Sequence, residues 1–347
     1  MFGGKSRLQK AVGWPVYLSR ELIRPHLCRR RRARSGNLLA VDVHSWVGLF
    51  AHMEYFLEIS LHCERHALTP CFMSTSPQYV DRRRGPDWFD YFFTNLQLST
   101  EDREKVRRGL VPVCRIEGIR QLGLPEDYDP QLNLENATYL VRKHIGIKPD
   151  VLQRVDAFVE RHFTSKPVLG IHYRGTDKRA EAPPVSYDQV RESIDGFLSR
   201  HSECQCLFVS SDEQRFVDFL EKEYGQTLRV IYHDDHERST TQIAVHRSRS
   251  GDRFRKAEEA VVNCLLLSRC HALIKTASFL SAWSKLFNPD LPVLLLNPPY
   301  ERQLWFPDRE LVSSTVSSEL LPPLRNETNT SRDHRSMQIA SHSRTGP

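Results

Sequence analysis

The chain has 347 residues, 39% of them apolar and 27% charged. That is room for two ordinary domains, each with its own core, and it excludes wholesale disorder. The net charge of +6 is concentrated in one arm. Residues 1–36 hold ten basic side chains (Lys5, Arg7, Lys10, Arg20, Arg24, Arg29, Arg30, Arg31, Arg32 and Arg34) against Glu21 alone, leaving 39 Lys/Arg against 42 Asp/Glu elsewhere. A body so close to neutral lacks the basic stripe of a nucleic-acid enzyme, so nucleic acid is not expected as a partner.

Taken in chain order, residues 1–36 read as a basic, flexible arm. Leu8, Val12, Trp14, Val16, Tyr17, Leu18 and Leu22 form a short amphipathic stretch suited to peripheral contact with an anionic membrane. The Arg29–Arg32 run is equally suited to a polyanion or lipid head group, and a solvated extension is the third reading. Pro15 and Pro25 interrupt any long helix, and no apolar run reaches the roughly 18 residues of a span. The basic cluster follows the apolar part, the reverse of a secretory signal. The expected location is therefore the cytoplasm, with the arm available to the inner membrane face.

Residues 37–165 read as a first α/β domain. Asn37–His44 is a strand, Trp46–Arg65 an amphipathic helix with Leu49, Phe50, Met53, Phe56, Leu57 and Leu61 at helical spacing, and Leu68–Met73 a second strand. Trp88–Thr94 suits either a strand or a buried helical turn, and Leu110–Cys114 a further strand. A Pro-rich loop around Leu122–Pro130 precedes a helix containing Tyr139, Leu140 and Val141. Ile145–Pro149 is expected to open a connecting helix over Asp150–His162, with the domain boundary at 163–167. Residues 166–310 alternate more clearly. Strands at 168–174, 206–210, 228–232, 271–275 and 292–296 separate helices near 187–200, 213–224, 255–268 and 278–287, the pattern of a doubly wound parallel sheet. Residues 311–347 turn polar and read as a disordered tail.

Eight cysteines (Cys28, Cys63, Cys71, Cys114, Cys204, Cys206, Cys264 and Cys270) lie within apolar segments, the usage of buried reduced thiols. Cys204 and Cys206 have no second pair at zinc spacing. His233-Asp-Asp-His236 holds metal-ligand types, but adjacent residues do not converge on one ion, and a solvated strand end is the better reading. Asp127-Tyr-Asp129 fits a DxD pattern but sits between Pro125 and Pro130, so a turn is expected. Asn136, Asn326 and Asn329 begin literal glycosylation sequons, which carry no weight without an export signal.

The chemistry gathers at strand ends. Val168-Leu-Gly-Ile-His-Tyr-Arg-Gly-Thr-Asp-Lys178 is an apolar strand that ends in His172, Arg174, Asp177 and Lys178. Period-two alternation places His172 and Arg174 on one face and Ile171 and Tyr173 on the other. Ligands of open α/β sheets bind at this end, and an Arg fork matches phosphate oxygens; a structural Arg–Asp pair is the plain alternative. Cys206–Asp212 is a buried strand whose Asp212 is expected to cap the next helix or contact a ribose hydroxyl, capping being the better supported. At Ala272–Ser278 the start of a helix, with the Thr276 and Ser278 hydroxyls, makes a phosphate cradle.

These residues resemble a family. His172, Arg174, Asp177 and Lys178 as an HxRxxDK element, the Ser210-Ser211-Asp212 turn, and Glu258–Cys270 followed by Lys275-Thr-Ala-Ser278 look like the α-1,6- and O-fucosyltransferase group, most closely the core α-1,6 and nodulation fucosyltransferases. The resemblance covers roughly residues 166–300. It implies a GT-B-like pair of Rossmann-type domains with the donor site in the C-terminal one, an acceptor-side first domain, and fucose transfer from GDP-fucose to a glycan with inversion and no bound metal or cofactor. By matching position Arg174 would hold the β-phosphate, and His172 would lie against the nucleotide. Asp177, Asp212, Thr276 and Ser278 would belong to the donor site, Glu181 would be the general base and Lys178 its assistant.

Two positions depart from the family pattern. Glu181 lies one residue nearer to Asp177 than the family spacing. Asn263 stands where the family places an Asp that reads guanine; a carboxylate accepts from guanine N1–H and N2–H₂ together, whereas an amide offers a single acceptor oxygen. The same fold with another nucleotide-sugar donor, or a non-catalytic nucleotide- or glycan-binding relative, are the alternatives these departures leave open.

Overall fold

The structure, a computed structural model, describes residues 36–115, 132–163, 167–175, 181–233, 238, 252–300 and 306–315. The arm before Gly36, Asp127 and Asp129, Asp177 and Lys178, residues 234–237 and the tail beyond Thr315 lie outside the described residues.

The first half runs β1 (Leu38–Asp42), α1 (Leu49–Arg65), β2 (Thr69–Met73), α2 (Phe89–Phe92), β3 (Phe93–Asn95), α3 (Thr100–Arg107), β4 (Val113–Arg115), α4 (Leu134–His144), β5 (Ile145–Ile147) and α5 (Pro149–His162). β2, β1 and β4 form a parallel sheet in that order, and β3 pairs antiparallel with β5. Two elements differ from the sequence reading. Residues 145–147, expected to open a helix, are a strand, with Ile147 opposite Phe93; Pro149 starts α5 only after it. α3 was not anticipated, because its only buried side chain is Val106. Its local chemistry is helical all the same. Ser99 Oγ accepts from Asp102 N–H at 3.0 Å, Glu101 and Asp102 lie in the first turn, and Lys105 and Arg107 in the last.

The second half runs β6 (Val168–Tyr173), α6 (Tyr187–Leu198), β7 (Cys206–Ser211), α7 (Gln214–Tyr224), β8 (Arg229–Ile231), α8 (Arg253–Ser268), β9 (Ala272–Lys275), α9 (Phe279–Phe287), β10 (Val293–Leu295) and α10 (Asp308–Thr315). All strand pairs in this five-stranded sheet are parallel, in the order β10-β9-β6-β7-β8. From β6 the chain winds outward through β7 to β8, then returns across α8 to β9 on β6's other side. The order therefore reverses between β6 and β9, a topological switch point, and the carboxyl edge at such a point is the crevice where open α/β sheets bind ligands.

Burial confirms the alternation along β6. Leu169, Ile171 and Tyr173 pack with Val190, Ile194 and Phe197 of α6 and Phe216 of α7. Val168 packs on the opposite face with the α8 side chains Leu265, Leu266 and Leu267. Gly170 permits that approach, since a Cβ there would lie 3.0 Å from Cys270 Sγ. One apolar cluster continues into the first half through α1 and α9. The Phe50 and Trp283 rings are 5.9 Å apart, and Trp283 Nε1–H donates to Glu54 Oε2 at 3.2 Å. Burial holds the Glu54 carboxyl far above the usual carboxylate range. The described cysteines are free thiols, and burial raises Cys206 to about 11 and Cys71 to about 12, so neither is a nucleophile at neutral pH. Among the described residues no helix is long and apolar enough to cross a membrane.

Candidate functional site

His172 ends β6 at the crevice, level with Ser210 of β7 and Lys275 of β9. It is buried, and alternation with Ile171 and Tyr173 puts it on the face opposite α6 and α7. The next turn is locked across the switch point. Thr276 N–H donates to His172 O at 3.0 Å, and Arg174 N–H donates to Thr276 Oγ1 at 2.9 Å. The backbone from which the Arg174 guanidinium projects is therefore fixed by the strand on the far side of the crevice. Arg174 Nε lies 3.9 Å from Asp212 Oδ2, with both side chains largely buried (19% and 16% exposed). At that separation the contact is electrostatic rather than a short charged hydrogen bond. Asp212 thus faces Arg174 and does not cap α7; Glu213 occupies the cap position without a side-chain cap bond.

Behind Arg174 the packing is rigid. Glu213 Oε2 accepts from Tyr187 Oη at 2.6 Å, and Tyr173 Oη donates to Val185 O at 2.8 Å. A Cβ at Gly175 would fall 2.3 Å from Glu213 Oε1 and 2.8 Å from Tyr173 Cε1, so a larger residue there would displace these side chains.

The turn after β9 is organised differently from the phosphate cradle read in the sequence. Lys275 is completely buried and ion-pairs with Asp308 Oδ1, and Asp308 Oδ2 accepts from Ser278 N–H at 3.2 Å. Ala277 N–H donates to Asn297 Oδ1 at 2.8 Å. The N–H groups of Thr276, Ala277 and Ser278 thus have acceptors within the protein, and the carboxylate of Asp308 already sits at the start of α9. Thr276 and Ser278 are themselves buried. Thr276 shapes the site by holding Arg174, and a phosphate at Ser278 would compete with Asp308. Asp308 and Asn297 escaped the sequence reading because each lies some twenty or thirty residues beyond the turn it serves, in a segment without periodicity of its own.

Asn297 also brings Glu181 to this edge. Its Nδ2–H donates to Pro183 O at 2.8 Å, while Tyr300 N–H donates to Glu181 O at 2.9 Å and Ala182 packs with Ala277 and Leu295. His172, Arg174, Glu181, Asp212, Thr276 and Ser278 therefore gather at the carboxyl edge of one sheet. Asn263 is half-buried late in α8, the helix on the His172 face.

The first half contributes a facing wall that the sequence did not reveal. Tyr79, buried in the segment after β2, is close enough to Arg174 for the guanidinium to oppose the rise that burial imposes on its phenol. Beside it, Asp42 Oδ1 accepts from Thr75 N–H at 2.8 Å and Asp42 Oδ2 from Thr75 Oγ–H at 2.7 Å, with His44 Nδ1 3.0 Å from Thr75 Oγ1. The single Thr75 hydroxyl proton goes to Asp42, so His44 must donate from Nδ1. This fixes the tautomer and leaves Nε2 as an acceptor. Only the succession of Asp42, His44 and Thr75 at two strand ends hinted at this chain. Within the described residues no group of three or more His, Cys, Asp or Glu side chains is arranged to hold a metal ion.

No family model matches the chain, and no curated protein matches it. Solved structures similar to it include NodZ α-1,6-fucosyltransferase soaked with GDP-fucose (15% identity, 74% of this chain and 94% of that one, TM-score 0.47); NodZ structures from Bradyrhizobium are similar as well. A mutant of Arabidopsis thaliana FUT1 in complex with GDP is 13% identical over 79% of this chain and 74% of its own, with a TM-score of 0.47. POFUT1 in complex with GDP is 8% identical over 75% and 99%, also with a TM-score of 0.47. Likenesses this distant assign neither a family nor a reaction.

Proposed function

We propose that this chain is an inverting, metal-independent glycosyltransferase of GT-B-like architecture that moves fucose from GDP-fucose to a glycan hydroxyl. The supporting observation is Arg174, fixed at the β6/β9 switch point by Thr276 and turned toward Asp212 in a largely buried setting. In the reaction the acceptor oxygen attacks fucose C1, the bond from C1 to the β-phosphate oxygen breaks, and its electron pair leaves on GDP. A guanidinium already in place lowers the barrier because charge grows on the leaving phosphate. His172 lies against the nucleotide, and Asp212 turns from Arg174 to the donor hydroxyls. The acceptor proton goes to Glu181, the base implied by the sequence resemblance, or to His44 Nε2 on the facing wall.

Radiolabelled GDP-fucose incubated with mixed glycans tests the reading. Transfer should be unaffected by EDTA and fall at least ~10²-fold in Arg174→Ala, the usual cost of an electrostatic donor to the leaving group. Transfer that needs added metal, or that survives Arg174→Ala, contradicts it. Loss of the acid limb of the kcat/KM–pH profile in Glu181→Gln but not His44→Gln assigns the base to Glu181, and the converse assigns His44. Asn263 supports a second reading, the same fold with another nucleotide, which selective use of a UDP- or ADP-sugar would establish.

A further inference from the structure

We infer that a depression at the rim of the crevice is a binding site for acidic groups (sulfate, phosphate or carboxylate) on the acceptor glycan. It is an open hollow of about 500 Å³ lined by Val80, Asp81, Arg82, Arg83, Asp252 and Arg253. None of its residues belongs to the donor site described above. Both carboxylates in it are engaged locally. Asp81 Oδ1 accepts from Arg83 N–H at 3.0 Å and its Oδ2 lies 3.8 Å from Arg84 Nε, while Asp252 Oδ1 accepts from Phe254 N–H at 2.9 Å and Arg255 N–H at 3.2 Å. The guanidinium groups of Arg82, Arg83 and Arg253, by contrast, have no ion-pair partner among the described residues. Three unpaired planar forks around one hollow present the donor geometry that sulfate, phosphate or carboxylate oxygens accept.

The hollow is also built rather than loose. Tyr91 Oη accepts from Asp81 N–H at 3.2 Å and donates to Gly85 O at 2.5 Å, tying down both ends of the arginine turn. The Arg84 guanidinium lies 3.5 Å from the centre of the Phe254 ring, fastening that turn to the start of α8. The fold places the hollow beside the crevice. The turn belongs to the same inter-element segment as Tyr79, which feels Arg174, and α8, preceding a parallel strand, begins on the carboxyl side of its sheet. Its volume suits one or two sugar rings. An acceptor anchored there by an acidic substituent reaches toward Arg174 from the first-half side. This assignment of acceptor class rests on the transferase reading.

The test uses the full chain and a heparin-derived hexasaccharide, with its desulfated counterpart as control, followed by hydrogen exchange. The site predicts protection of amides in 81–85 and 253–256 by the sulfated sugar only. That protection should be lost in Arg82→Gln/Arg83→Gln/Arg253→Gln, whose thermal midpoint is unchanged and whose GDP affinity stays within twofold of the parent's. Hexasaccharide affinity at this site should fall at least tenfold in the triple variant. Protection by both sugars alike, protection confined to residues 1–36, or protection that persists in the triple variant overturns the inference, as does protection by anionic phosphatidylserine vesicles but not by the sugar. If GDP fails to bind while the arginine-dependent protection appears, the donor reading falls and the anion site stands.

Discussion

Removing Asp308 should destabilise the protein more than any other single change near the crevice. Its partner Lys275 is 0% exposed and Asp308 itself 10% exposed as a side chain. In Asp308→Ala the ammonium stays buried and loses its ion-pair partner, at a cost of about 3–5 kcal/mol. The Ser278 N–H loses its acceptor as well, adding about 1–2 kcal/mol. The expected loss is therefore about 4–7 kcal/mol, a large share of the stability of an ordinary domain. Asp308→Asn keeps an acceptor for Ser278 and should cost less than Ala. Lys275→Met/Asp308→Leu removes both charges and should recover most of the loss, since replacing a buried pair by apolar groups is often near neutral. Urea unfolding followed by tryptophan fluorescence reads all three variants. An Asp308→Ala loss below about 1 kcal/mol, or a double variant no better than the single, would refute the buried-pair argument.

Two further outcomes follow from packing and protonation. Burial, the largest influence, lowers His52 to about 4 although Gly48 O and Ser45 O each lie 3.1 Å from a ring nitrogen; a neutral ring donates to only one of them. As pH falls below 6.5 the unfolded chain takes up a proton that the native ring accepts only near 4. Stability is full above that window and declines through it, by about 2 kcal/mol from pH 8 to pH 5. Urea midpoints should show that decline, and it should flatten by the same amount in His52→Gln. At Gly170 a new side chain meets Cys270 Sγ at 3.0 Å, Cys270 Cβ at 3.2 Å and Leu267 Cδ2 at 3.3 Å. Gly170→Val should cost about 1–3 kcal/mol or more by overpacking, measured by thermal unfolding, while an unchanged midpoint would show that β6 and α8 part easily.

The second half was legible because its three central strands, β6, β7 and β9, are buried on both faces and its helices are long and amphipathic. Every strand from β6 to β10 was expected within about two residues of where it lies. His172 and Arg174 were legible for the same reason, being the first polar residues to end an apolar run. Asp212 was expected to cap α7 or to contact a ribose hydroxyl; Glu213 holds the cap position and Asp212 faces Arg174, since a helix cap and an ion pair look alike in sequence. The short elements were harder. β5 has three residues and takes its strand character from β3, and α3 buries almost nothing. Least visible were contacts made at long sequence range: Asp308 with Lys275, Asn297 with the 276–278 turn, and His44 with Thr75. None leaves a periodic trace, because each depends on two loops meeting only after the sheets have formed.

The proposed transfer depends most on Arg174 holding a nucleoside diphosphate at the switch point. Calorimetric titration of the protein and of Arg174→Ala with GDP, UDP and ADP, each with EDTA present, tests this most directly. Binding should be GDP-selective, ignore EDTA and weaken at least tenfold in Arg174→Ala, with the fold unchanged by circular dichroism. Equal affinity in the parent and in Arg174→Ala, or no affinity for any of the three nucleotides, would contradict it.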